Sequence, residues 1–234
     1  MNALTLTSAA PLEYDDLPAL MALMTGDEKH TAASTSTLDV LWVLYDRVLR
    51  VAPEPHWTST RDRFLLSKGH GPMAYYAVLA AKGFFPPEWL AGWAGYDSPL
   101  GYHPDRNLVP GVEISSGSLG HGLPLAVGTA LGLRAQGIGA RTVVLVGDAE
   151  LDEGSNHEAL ELAAALALDR LTVVVVDNAS ATYHQPGLIG RRFETDGWHV
   201  SMVDGRDHVA LESSLQVSQP DAPGVVIAEV GETS

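Results

Sequence analysis

Apolar residues recur along this chain in two different periods. Leu38, Leu41, Trp42, Tyr45, Val48 and Leu49 repeat at steps of three and four, the spacing that lines one face of a helix, and predict a helix over about 36–50. Similar patterns predict helices over about 71–82, 119–136, 154–167 and 207–216. Leu17, Leu20, Met21 and Met24 predict a short amphipathic helix in an N-terminal arm over 1–25, packed either on its own core or on a partner. The other period belongs to strands, expected at 64–66, 142–146, 171–177, 198–203 and 225–230. The runs at 142–146 and 171–177 are β-branched without polar alternation, which marks strands covered on both faces.

Strands that alternate with helices imply an α/β fold, a doubly wound and mainly parallel sheet with helices on both faces. One domain over 1–234 is expected, since no linker, repeat or low-complexity segment divides the chain. The stretch 83–117, rich in glycine, proline and aromatic residues, is predicted as a long loop. So long a loop inside a folded domain usually carries function, and active-site residues are expected there.

Composition narrows the function. The formal net charge of −15 disfavours nucleic acid and anionic membrane surfaces, and no run of eighteen apolar residues predicts a spanning helix. No basic leader precedes the apolar stretches near the N-terminus, so a cytoplasmic location is expected. With no cysteine, disulfides, thiolate metal sites and cysteine nucleophiles are excluded from these residues. A nucleotide-binding Rossmann domain is disfavoured, because no G-x-G-x-x-G follows a strand.

The most informative segment runs from Gly147-Asp148-Ala149-Glu150-Leu151-Asp152-Glu153-Gly154 to Asp177-Asn178. Asp148 and Asn178 each fall just past a predicted strand. A right-handed crossover between parallel neighbours would bring both to one edge of the sheet, where open α/β sheets bind ligands. A carboxylate and an amide oxygen there suit Mg²⁺ sharing its shell with phosphate oxygens, with Gly147 permitting the turn. The alternative from spacing alone is that Asp148 caps a helix and Asn178 occupies a turn.

This segment, with Glu158-Ala159 following it, resembles the thiamine-diphosphate motif of the transketolase family. Three further motifs occur in the family's order: His30 in the place of an N-terminal histidine; Ser67-Lys68-Gly69-His70; and Gly101-Tyr102-His103-Pro104 leading to Ser116-Gly117-Ser118-Leu119-Gly120-His121-Gly122. The resemblance covers nearly the whole chain, from His30 to about residue 230.

The resemblance implies a thiamine-diphosphate-binding fold and a set of roles. Asp148, Asn178 and the backbone carbonyl of Ser180 would ligate Mg²⁺, or Ca²⁺ or Mn²⁺ in its place, while Gly147 and Ala149 line the diphosphate. Gly117, Ser118 and Leu119 would approach the aminopyrimidine, with His70 near cofactor and substrate. His30, His70 and His103 would bind sugar hydroxyls and supply acid or base, and Glu153 would stand at the contact between two thiamine sites. Each histidine taken singly reads as a surface or structural residue, Glu153 alone as a solvated first-turn glutamate, and Glu158 as structural.

Two departures stand out: Ala149 replaces the family's usual glycine, and His30 lacks glycine and proline neighbours. The family's pyrimidine-binding and C-terminal domains have no counterpart in these 234 residues. The resemblance therefore implies one subunit of a two-chain transketolase that transfers a two-carbon ketol unit from a ketose to an aldehyde. Its partner would be a C-terminal subunit with the pyrimidine domain and the activating glutamate, in an α2β2 heterotetramer. The alternatives are a subunit of an E1-like 2-oxo acid enzyme, which would have little use for polyol-binding histidines, and a non-catalytic cofactor-binding scaffold.

Overall fold

Among the described residues five strands, all parallel, form one sheet in the order β1-β2-β3-β5-β4. They are β1 (Arg63–Leu66), β2 (Thr142–Gly147), β3 (Leu171–Asp177), β4 (His199–Asp204) and β5 (Gly224–Glu229). The structure, a computed structural model, describes residues 12–25, 31–53, 58–69, 72–182, 185–218 and 220–231, and for 31–34 the backbone alone. The helices are α1 (Leu17–Met21), α2 (Thr31–Val43), α3 (Met73–Ala81), α4 (Gly122–Ala135), α5 (Gly154–Ala165), α6 (Leu188–Thr195) and α7 (His208–Gln216).

The continuous apolar strands are covered on both faces, as their composition requires. Alternate residues enter two separate cores. Val143, Leu145, Val174 and Val176 face α1, α2, α3 and α7, whereas Val144, Val146, Val173 and Val175 face α4, α5 and α6. The predicted doubly wound α/β sheet is thus the observed one.

Most elements fall within a few residues of their expected places, with three differences. The helix expected over 36–50 begins at Thr31 and passes at Leu44–Val48 into one π-helical turn, whose wider winding keeps Tyr45, Val48 and Leu49 buried. The N-terminal arm carries a 3-10 turn, Tyr14–Asp16, ahead of α1, whose Leu17 and Leu20 pack on the core. Finally, α6 was not predicted. Its Gly190 lies where a Cβ would sit 3.6 Å from Ile227, Met202 and Val200, so glycine lets this helix approach the sheet closely.

The long loop 83–117 is anchored. It contains one 3-10 turn, Pro87–Gly92, and buries Leu90, Trp93, Leu100, Val109 and Val112 in the first core. The carbonyl of Gly101 accepts hydrogen bonds from Tyr76 Oη at 3.0 Å and Trp93 Nε1 at 3.2 Å. These contacts fix the backbone two residues before His103. No helix among the described residues is long and apolar enough to cross a membrane.

Candidate active site at the carboxyl edge of the sheet

β2 and β3 are direct neighbours, with Gly147 opposite Val176, so Asp148 and Asn178 each stand one residue past a strand at the same edge. The Asp148 N–H donates to the Val176 carbonyl at 3.1 Å, carrying the ladder one step further. Asp148 is 2% exposed, and its carboxylate accepts from Ser180 N at 2.6 Å, Ser180 Oγ at 2.7 Å and Ala181 N at 3.0 Å. The turn that aims these donors passes through Ala179 at φ 56°, a left-handed conformation that a Cβ disfavours. Strained backbone of this kind is concentrated at functional sites.

Among the described residues the buried Asn178 Oδ1 has no hydrogen-bond partner, which is costly for an amide oxygen unless something occupies it. An unsatisfied neutral oxygen at the same sheet edge as a buried carboxylate fits a hard cation such as Mg²⁺. Among the described residues no three His, Asp or Glu side chains converge on a metal position. Of Ser180, the amide and hydroxyl are what engage Asp148, so a cation using both carboxylate oxygens must share or displace these donors.

Gly147 is buried, with the Lys68 side chain about 3.5 Å from where its Cβ would be. Burial draws the Lys68 ammonium down to about 8, against the pull of the Asp148 and Glu150 carboxylates. A cation beside a glycine at a strand end is suited to a phosphate group. Ala149 is exposed and opens the 3-10 turn Ala149–Asp152, so its methyl is not wedged into the cradle. Glu153 is exposed at the N-cap of α5 and makes no side-chain cap, which leaves its carboxylate at the surface.

A second cluster lies alongside. Gly69, at the end of the segment after β1, packs so tightly on Gly117 that a Cβ would come within 2.8 Å of its Cα. Gly117 adopts φ 118° and lies against the His103 ring, where a Cβ would approach Cγ to 2.9 Å. His103 Nδ1 sits 2.7 Å from the Gly69 carbonyl oxygen. The Ser67, His103 and Gly117 motifs, distant in sequence, thus meet at one place. Ser118 and Leu119 are exposed beyond Gly117. His30 and His70 lie outside the described residues.

Sequence reasoning missed Glu150. It sits in an acidic run that reads as a solvated turn, yet it is 2% exposed and accepts hydrogen bonds from Ser67 Oγ, Gly120 N and Gly147 N. Burial raises its pKa, while those three donors act in the opposite direction. The one sequence signal was its place two residues after Asp148, inside the motif.

The parallel sheet, its carboxyl edge and this motif set define the class of α/β domains that hold thiamine diphosphate. A family profile described as "Transketolase, thiamine diphosphate binding domain" matches residues 19–229. The chain belongs to the transketolase family and corresponds to its N-terminal, thiamine-diphosphate-binding domain.

It is 39% identical to an apulose-4-phosphate transketolase subunit of Actinobacillus succinogenes, over 85% of this chain and 75% of that protein. It is 56% identical to "Ferredoxin fas2" of Rhodococcoides fascians, over 93% of this chain and 72% of that protein. Iron–sulfur clusters are held by cysteine thiolates, and the 234 residues here contain no cysteine to provide them. Among solved structures, transketolase from Leishmania mexicana superposes with a TM-score of 0.72 at 28% identity, over 88% of this chain. Transketolase from Campylobacter jejuni superposes with a TM-score of 0.76 at 24% identity, which shows the fold. The chain spans 37% of each of these two transketolase chains.

Proposed function

We propose that this chain is the thiamine-diphosphate-binding subunit of a two-chain transketolase, active with a C-terminal partner that brings the pyrimidine-binding domain and the activating glutamate. The observation that carries this reading is the buried Asn178 Oδ1, without a hydrogen-bond partner among the described residues, at the same sheet edge as the buried Asp148 carboxylate. Relatives named as transketolase subunits, which this chain matches over most of their length, support the division into two chains. The two would pair as an α2β2 assembly.

In this reading Asp148, Asn178 and the Ser180 carbonyl hold Mg²⁺, or Ca²⁺ or Mn²⁺ in its place, and Gly147, Ala149 and Lys68 receive the diphosphate. Gly117, Ser118 and Leu119 present backbone groups to the pyrimidine ring, and Gly117 allows the approach by lacking a side chain. Bound thiamine diphosphate supplies a carbanion-stabilising ring that allows a two-carbon ketol unit to pass from a ketose to an aldehyde. The chain's own part is to bind and orient. His103, with His30 and His70, binds hydroxyl groups of a small sugar and acts as acid or base toward them. Glu153, exposed at the head of α5, would stand at the contact between two thiamine sites.

The test is to co-purify the chain with its C-terminal partner and follow ketol transfer from a set of ketoses to aldehyde acceptors. Transfer is expected only when both chains, thiamine diphosphate and Mg²⁺ are present. A complex that binds the cofactor and transfers nothing from any ketose would contradict the enzymatic reading.

A further inference from the structure

Glu150 is the point at which three separate segments meet. Its Oε1 accepts the Ser67 hydroxyl and the Gly120 N–H at 3.0 Å, from residues 83 and 30 positions away, and its Oε2 faces the Gly147 N–H at 3.4 Å. The Ser67 hydroxyl in turn accepts the Gly122 N–H at 3.0 Å. One carboxylate is therefore bonded to the end of β1, to the turn entering α4 and to the end of β2. The glutamate itself is held by Asn156, a fully buried side chain whose Nδ2 donates to the Glu150 carbonyl at 2.6 Å.

Packing around these bonds leaves little slack. A Cβ on Gly120 would come within 2.7 Å of Glu153 Cβ and Ser155 Oγ, and one on Gly122 would collide with the Ser67 side chain. Ser155 Oγ also donates to the Gly120 carbonyl at 2.7 Å, pinning the same turn from the side of α5. Shape alone brings the segments close. Only the carboxylate, an acceptor without donors, satisfies inward-pointing O–H and N–H groups from all three of them.

We propose that Glu150 is a positioning residue that sets cofactor affinity by locking the Lys68–Gly69, Gly117–Leu119 and Asp148 segments together before the cofactor arrives. The inference rests on the thiamine-diphosphate reading above and adds a residue outside the expected ligand set. Glu150 reaches the cofactor only through the backbone it holds. Groups that orient ligating groups in this way typically control affinity by about 10–100-fold.

The experiment uses the full chain in complex with its partner, comparing wild type with Glu150→Ala, Glu150→Gln and Ser67→Ala. Three measurements are made: calorimetric affinity for thiamine diphosphate with Mg²⁺, thermal denaturation of the cofactor-free protein, and hydrogen exchange at the Gly120 and Gly122 amides. Glu150→Ala is expected to weaken binding by about tenfold or more and to speed exchange at both glycines. Ser67→Ala, which removes one arm, should speed exchange at Gly122 and weaken binding less. Glu150→Gln keeps one acceptor for Ser67 and Gly120 but turns an amide donor toward the Gly147 N–H, so its affinity should fall between wild type and Glu150→Ala.

If Glu150→Ala lowers only the melting temperature and its folded fraction binds as wild type does, the positioning role is overturned. The same holds if Ser67→Ala leaves both affinity and exchange unchanged. A wild type that binds no thiamine diphosphate would instead overturn the proposed function, and with it any role of Glu150 toward the cofactor.

Discussion

His103 Nδ1 lies 2.7 Å from the carbonyl oxygen of Gly69, and a carbonyl can only accept, so Nδ1 carries the proton. In the neutral ring Nε2 is then the nitrogen with acceptor capacity. His103→Ala is expected to lower ketol transfer by about 100-fold, the lower end of what a positioned acid–base group contributes. Affinity for thiamine diphosphate should change little, so the loss would appear in turnover and in the KM for sugar. Steady-state kinetics of the two-chain complex makes the comparison, and an unchanged rate would remove His103 from the site.

Gly117→Ala should act on the same cluster from the other side. The new methyl would meet the His103 ring, at a φ of 118° that side chains rarely adopt. A destabilisation of about 1–3 kcal/mol is expected for strain of this kind, together with weaker cofactor binding. Denaturant titration and calorimetry on the same variant would measure both effects.

At the opposite edge of the sheet, fully buried Asp62 accepts from the Arg50 and Arg141 backbone amides, each at 2.9 Å, and from both guanidinium groups. Burial alone would raise its pKa, but the hydrogen bonds and charge of Arg50 and Arg141 outweigh it and hold the carboxyl below its ordinary value. A depressed folded-state pKa contributes stability that is present above the unfolded value of about 4 and is lost as pH falls through the folded value. Asp62→Asn should therefore flatten the stability profile below about pH 4 and cost roughly 2–4 kcal/mol at neutral pH. Urea unfolding across an acid series would show it.

Lys68 predicts a proton linkage. Burial holds its ammonium at about 8, so part of it is neutral in the free protein above that pH. An anionic diphosphate beside it favours the charged form and raises the pKa, and binding should take up protons between about pH 8 and 9 but not below about pH 7. Binding enthalpies in buffers of different ionisation heat would reveal the uptake. None is expected if the diphosphate lies elsewhere.

The strands and the edge shared by Asp148 and Asn178 were legible in the sequence because their signals are local and continuous. The β-branched runs Val143–Val146 and Val173–Val176 favour buried strands, and once both are parallel neighbours Asp148 and Asn178 must share an edge. The meeting of Gly69, Gly117 and His103 was implied by a family resemblance. Its physical cause, two glycines whose missing side chains permit contact, appears only in three dimensions.

Two features were hidden for opposite reasons. α6 is only eight residues long, so Leu188, Ile189 and Phe193 give its helical period too few apolar positions to stand out. Glu150 looks like its neighbours Asp152 and Glu153 in sequence. The donors that make its burial tolerable come from Ser67 and Gly120, far along the chain.

The central claim is that Asp148 and Asn178 hold a divalent cation that binds the diphosphate of thiamine diphosphate. Titrating thiamine diphosphate into the full chain with its partner, first with Mg²⁺ and then with a chelator, tests it most directly. Binding should require the metal and be weakened at least about tenfold in Asn178→Ala, as the loss of a ligand to the bound ion predicts. Equal binding with and without metal, or an Asn178→Ala variant indistinguishable from wild type, would contradict it.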